Sequence, residues 1–198
     1  MILSLQGCMA AGKTTVARHI ERVLPVVHVN YEAPFGLLGE IRQRGLDQNT
    51  PEGFVEIQRI FIRAEIARWH ENRRYEHALN DLGPEEIEFF TLFFPRSKGY
   101  DWPIEQMLAD ELAALRACMS DAVLFLDARH DVLRRNKEGD ATRKRGSFDH
   151  YLAEMLPRKK EWFFTQARTK PDVLCVDGMD RDQLCAAVTS WVLGKIDT

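Results

Sequence analysis

Cysteine is scarce in this sequence, and the four present, Cys8, Cys118, Cys175 and Cys185, form no CxxC pair. No Cys/His spacing resembles a zinc site, and a reducing compartment is expected. His70 and His77 stand seven residues apart without the third ligand that a metal centre needs. Long apolar runs are missing: none approaches the ~20 residues that span a bilayer. The N-terminus also lacks the basic and apolar regions of a signal peptide. A soluble, cytoplasmic protein without a membrane partner is the expectation. Charge of one sign is scarce as well, because 27 basic and 30 acidic residues leave a formal net charge of −3. That balance does not steer the chain to nucleic acid, so phosphate binding must come from local basic clusters. Repeats and low-complexity segments are absent.

What is present suits one globular domain over residues 1–198, with at most a small lid. The apolar fraction, 45%, is enough for a sizeable core. Apolar runs at Ile2–Gln6, Val26–Asn30, Ala122–Leu126 and Val173–Val176 read as strands, and Tyr75–Asn80 is a weaker fifth. Helices are expected between them. Lys13–Leu24 carries Val16, Ile20, Val23 and Leu24 on one face. Thr50-Pro51-Glu52 starts a long helix with Phe54, Ile57, Phe61, Ala64 and Ala67 inward. Pro84-Glu85-Glu86 opens another, and Asp101-Trp102-Pro103 opens one that buries residues Ile104 to Met119. Asp180-x-x-Gln183 resembles a capping box for the last helix. Strands that alternate with helices and lack polar alternation predict an α/β fold with a parallel sheet covered on both faces.

The motif that points to chemistry is Gly7-Cys8-Met9-Ala10-Ala11-Gly12-Lys13-Thr14, followed by Thr15, which fits G-x-x-x-x-G-K-S/T. Glycines let such a loop turn its N–H groups onto phosphate, and the following helix adds its positive end. Lys13 would reach the β- and γ-phosphates of ATP, and the Thr14 hydroxyl would ligate Mg²⁺. Cys8 reads either as a small filler or as a redox-sensitive thiol near a helix dipole. Asn136-Lys137-Glu138-Gly139-Asp140 is one residue too long for the guanine motif of a GTPase, and no D-x-x-G element follows a strand. The chain is also short for a motor. A kinase of small molecules remains.

On these residues the chain resembles the P-loop kinases of nucleosides and nucleotides, especially the deoxynucleoside and thymidylate kinase branch. The resemblance implies a three-layer α/β/α fold with a five-stranded parallel sheet in the order 2-3-1-4-5. It implies that Glu32, in Asn30-Tyr31-Glu32-Ala33-Pro34, acts as base toward an acceptor hydroxyl, where the other reading is an exposed loop glutamate. Gln58 and Phe61 match a glutamine-then-phenylalanine pattern that binds a nucleobase, although Phe61 also falls on the core stripe. Asp81 matches a carboxylate near Mg²⁺, or else caps the next helix. Leu82 stands where the family has arginine, so Arg63 or Arg96 must supply that cation, or the acceptor differs. The aromatic stretch Phe89–Trp102 serves either the core or an acceptor pocket. Arg134, Arg135, Lys137, Arg143, Lys144 and Arg145 are similar to a lid over about 134–146, with Arg134 and Arg143 on the transferred phosphoryl group and Gly139 and Gly146 as hinges. Taken alone, the same run suits a solvated face. Asp177-Gly178-Met179 resembles the adenine loop. The apolar helices at 54–67 and 104–119 suit a homodimer face or the core equally. The function expected is therefore ATP-dependent phosphorylation of a nucleoside or nucleotide. The alternatives are a kinase of another small molecule, such as an antibiotic, sugar or metabolite, and a regulatory nucleotide-binding protein with little catalysis.

Overall fold

Ile2–Gly7 (β1) is buried at every position, as expected of a strand in the middle of a sheet covered on both faces. The computed structural model describes residues 1–32, 34–139 and 148–197. After β1 come α1 (Lys13–Val23), β2 (Val27–Tyr31), α2 (Pro34–Gln43), α3 (Pro51–Asn72), β3 (His77–Asp81) and α4 (Pro84–Ser97). Then follow α5 (Ile104–Met107), α6 (Ala109–Arg116), β4 (Ala122–Asp127), α7 (His130–Glu138) and α8 (Phe148–His150). A π-helical turn (Tyr151–Met155), α9 (Leu156–Thr165), β5 (Asp172–Cys175) and α10 (Arg181–Ile196) complete the chain. Every strand pair is parallel and the order is β2-β3-β1-β4-β5, which agrees with the expected topology.

Side chains alternate across the sheet. Leu3, Leu5, Leu124 and Leu126 join Val16 and Ile20 of α1 and Val188 and Val192 of α10 in one core. Val123 and Phe125 face the other way, onto Phe89 of α4 and Trp162 and Phe163 of α9. Each such fully buried large side chain stabilises the fold by roughly 1.5–3 kcal/mol. Phe54 and Ile62 of α3 pack with Ile104, Leu108, Leu112 and Leu115 in a further core.

Several expected boundaries shift for local reasons. Tyr75 lies in the turn before β3, stacked on His28 with ring centroids 3.7 Å apart. The helix expected to run on from Ile104 breaks at Leu108 into α5 and α6. Pro157 sits harmlessly in the first turn of α9, and the irregular π turn comes before it. β5 is an edge strand, and Val173 is 52% exposed rather than covered. Val23 and Ala67 are exposed too: Val23 ends α1, and the buried stripe of α3 runs through Ile62, Glu65 and Asn72 instead. The caps are as expected, with Thr50 accepting from the Gly53 N–H and Asp180 and Gln183 closing a capping box.

Polar ties fix the edge of the sheet where the strands end. Arg68 of α3 donates to the Leu82 carbonyl at 2.5 Å, and Asn72 donates to Asn80 at 2.8 Å while accepting from Asn30 at 3.1 Å. α3 therefore runs back along β3, and its residues 54–61, about two to four turns earlier, project past the carboxyl edge of the sheet. Glu85 in the first turn of α4 is 1% exposed and accepts from the Ser120 N–H at 2.7 Å and from the hydroxyls of Ser4 and Ser120 at 3.2 Å. Burial outweighs these bonds and pushes its carboxyl up. Protonation of Glu85 therefore stabilises the folded state below the ordinary glutamate range, and that contribution is lost as pH rises through the raised value. Glu85→Gln keeps an acceptor for Ser120 without the charge. Its melting temperature should exceed that of the wild type at pH 7, and the gap should close as the pH is lowered toward 4.

Candidate functional site

The loop after β1 is shaped to present backbone donors. Gly7 has φ 128°, and a Cβ there would come within 2.5 Å of the Leu126 carbonyl oxygen on β4. Ala10 and Gly12 are left-handed, with φ 64° and 95°, which turns successive N–H groups into a concave nest. α1 starts at Lys13, so its unpaired N–H groups add the positive end of a helix. The Lys13 ammonium lies back across the loop and donates to the carbonyls of Gly7 (3.2 Å) and Cys8 (2.7 Å). Burial, followed by the like charge of Lys159, holds its pKa below the usual lysine range, against the pull of Asp81 and Glu86. Cys8 is buried, and burial pushes its thiol up against the pull of Lys13 and Lys159, which favours the small-filler reading over the redox-sensitive one. Cys8 and Ala11 turn into the core, while Gly7, Met9, Ala10, Gly12, Lys13, Thr14 and Thr15 line a cavity.

The Thr14 hydroxyl donates to Asp81 Oδ2 at 2.6 Å. β3 places that carboxylate in register beside the end of β1, and Leu5 pairs with Asp81. One hydroxyl and one carboxylate, both hard oxygen donors beside a phosphate nest, fit Mg²⁺, which takes few protein ligands and completes its shell with water and phosphate. No cluster of three or more His, Cys, Asp or Glu residues suited to a metal occurs among the described residues.

The cavity measures about 850 Å³ and runs from the loop to the projecting end of α3. It lies at the carboxyl edge of the sheet, where open α/β folds bind ligands. Phe54, Ile57 and Phe61 of α3 and Ile87 and Phe90 of α4 give it an apolar wall. Glu32, Asp47, Asp81 and Glu86 bring carboxylates, and Arg18 and Lys137 bring cations besides Lys13. Gln58 lines it as well, but its side chain is nearly buried and its carbonyl oxygen accepts from Thr91 at 2.8 Å. Part of the aromatic stretch thus reaches the cavity through Phe90, while Phe89 is core.

Glu32, Gln58, Phe61 and Asp81 therefore meet on one cavity with the loop. Arg63 does not: it is exposed and lies outside the cavity lining, because two residues beyond Phe61 turn it about 200° around the helix. Arg96 lies in a separate groove with Phe93. Arg134 is exposed and pairs with Asp149 at 2.7 Å, and Arg135 pairs with Asp131 at 3.6 Å, so Lys137 is the α7 cation on the cavity. Asn136 beside it donates to the Ala10 carbonyl at 3.0 Å, which joins α7 to the loop. Arg143, Lys144, Arg145 and Gly146 lie outside the described residues. Asp177 accepts from the Arg129 N–H at 2.9 Å, and Met179 packs on the core. At Leu82, φ is +67°, a left-handed geometry that is costly for a branched side chain, held from both sides by Leu5 and Arg68.

Sequence reasoning missed Arg18, Glu86, Tyr151 and Lys159. The Tyr151 hydroxyl donates to Glu86 at 3.3 Å, and Lys159 forms an ion pair with the same carboxylate. Lys159 carried a readable signal: three residues after Leu156 and three before Trp162, it falls on the apolar stripe of α9 and is fully buried.

No protein-family model matches the chain, and no curated relative matches it. Solved structures do. A deoxyadenosine kinase from M. mycoides with the products dCMP and a flexible dCDP bound superposes with a TM-score of 0.75 at 14% identity, over 98% of this chain and 100% of that one. The same enzyme with bound dATP gives 0.73 at 14% identity over 96% and 99%, and with bound dCTP 0.69 at 16% over 96% and 98%. The chain therefore has the P-loop fold of these nucleoside kinase structures along nearly its whole length.

Proposed function

We propose that this chain is a P-loop kinase that moves the γ-phosphoryl group of ATP onto a small acceptor, a nucleoside or nucleotide. The observation that carries the proposal is one continuous cavity, walled at one end by the phosphate nest with the Thr14–Asp81 pair and at the other by aromatic and carboxylate side chains. Such a cavity suits the direct, in-line passage of a phosphoryl group between two ligands. The nucleotide ligands of the similar structures support the same reading.

In this proposal the nest binds the β- and γ-phosphates, and Lys13 leaves its own loop to follow the transferring group. Thr14 and Asp81 would hold Mg²⁺, which supplies charge neutralisation between the phosphates. Glu32 accepts the proton of an acceptor hydroxyl, and Phe61 and Phe90 flank a flat acceptor. Lys137 of α7 would approach the phosphoryl group from the cavity wall. Leu82 in place of arginine, together with the engaged carbonyl of Gln58, favours a second reading in which the acceptor is a hydroxyl compound without a nucleobase. ADP release from Mg-ATP across deoxynucleosides, their monophosphates, and neutral and aminated sugars tests both. Stimulation by a nucleoside or nucleotide is expected. Stimulation by a sugar alone selects the second reading, and ATP binding without stimulation by any acceptor contradicts both.

A further inference from the structure

Lys159 is fully buried, far from where a lysine ordinarily lies. A buried ammonium is stable only when paired and hydrogen-bonded. One of its partners is Glu86, whose carboxylate also receives the Tyr151 hydroxyl and, with its amide oriented to donate, Gln6 at 3.2 Å. The other partner is unexpected. Lys159 donates at 3.0 Å to the carbonyl oxygen of Gly7, the oxygen on which Lys13 rests at 3.2 Å. Two lysines, one from the start of α1 and one from α9, thus converge on the first carbonyl of the phosphate loop.

Beyond its pairing with Glu86, the Lys159 ammonium thus commits a further donor to the backbone of the phosphate loop. Lys13 commits two of its three N–H donors to Gly7 and Cys8, so a phosphate competes with those carbonyls for it, and a buried carbonyl abandoned by its donor carries a penalty. Lys159 keeps the Gly7 carbonyl bonded when Lys13 departs. We infer that Lys159 is a positioning residue for the phosphate loop, holding the Gly7 carbonyl in place so that Lys13 is free to bind the phosphates of a nucleotide. The inference rests on reading the loop as a nucleotide site. It assigns to α9 a role that neither the motif nor the expected lid contains.

The test is a double-mutant cycle read as Mg-ATP affinity by calorimetry, on wild type, Lys159→Met, Glu86→Gln and the double variant. Lys159→Met should weaken ATP binding by about tenfold, the order expected when a buried acceptor loses its donor. The same factor should separate the double variant from Glu86→Gln, where no unpaired carboxylate is left behind. If Lys159→Met alone proves too unstable to assay, that second comparison decides. Inorganic tripolyphosphate, which engages the loop without a base pocket, should show the same loss. A loss that vanishes in the Glu86→Gln background would reduce Lys159 to a counter-ion and overturn the inference, as would equal affinities throughout or a loss confined to ATP. Failure of the wild type to bind ATP would overturn the nucleotide reading itself, and the inference with it.

Discussion

Lys13→Ala should lower acceptor-dependent ADP release by at least about a hundredfold, the scale on which a preorganised charge-stabilising donor contributes to turnover. The reason is geometric. Lys13 is the first residue of α1 and its ammonium already lies over the loop, bonded to Gly7 and Cys8, so reaching a phosphate requires only that it leave those carbonyls. The fold should tolerate the change, because Lys159 remains on the Gly7 carbonyl and the Cys8 thiol stays buried beneath. Steady-state kinetics beside a thermal melt checks this: turnover should collapse while the melting temperature stays close to wild type. Wild-type turnover in Lys13→Ala would remove the loop from the chemistry.

Asp81→Asn should reduce turnover on the order of ten- to a hundredfold and raise the Mg²⁺ concentration needed for half-maximal activity. Asparagine keeps the Oδ that accepts from Thr14, so the 2.6 Å bond and the end of β3 should survive. What is lost is the negative charge and the anionic oxygen that a hard divalent ion prefers. A Mg²⁺ titration of wild type and variant at saturating ATP is the measurement. A reduced turnover with an unmoved Mg²⁺ curve would assign Asp81 to the acceptor instead of the metal, and no change in either would make it a helix cap.

How far the sequence led depends on whether the signal was local. The phosphate loop was legible because its residues are contiguous and each type has a conformational reason: the positive φ at Gly7 and Gly12 is the clearest. Thr14 and Asp81 lie 67 positions apart, and their contact was reached through resemblance, since no spacing rule joins the ends of β1 and β3. The order of the strands came from the same source. Arg63 was misplaced because the pattern was followed along the sequence without turning the helix: Phe54, Ile57, Gln58 and Phe61 share the cavity face and Arg63 turns away. The lid residues were chosen for charge, yet Arg134 and Arg135 are engaged by Asp149 and Asp131, and Lys137 faces the cavity. Lys159 was lost in the run Arg158-Lys159-Lys160, which reads as a solvated face until the apolar stripe of α9 is counted through it. Glu86 was read only as part of the helix start at Pro84-Glu85-Glu86, and its meeting with Tyr151 and Lys159 depends on packing between α4 and α9 that no local pattern encodes.

The central claim is phosphoryl transfer to a small molecule, and ATP labelled in its γ-phosphate tests it most directly. Incubated with Mg²⁺ and the acceptor that stimulates ADP release, the label should appear in a new phosphorylated small molecule, and Lys13→Ala should abolish that product. Label that remains in ATP, or that passes only to inorganic phosphate, would contradict the account.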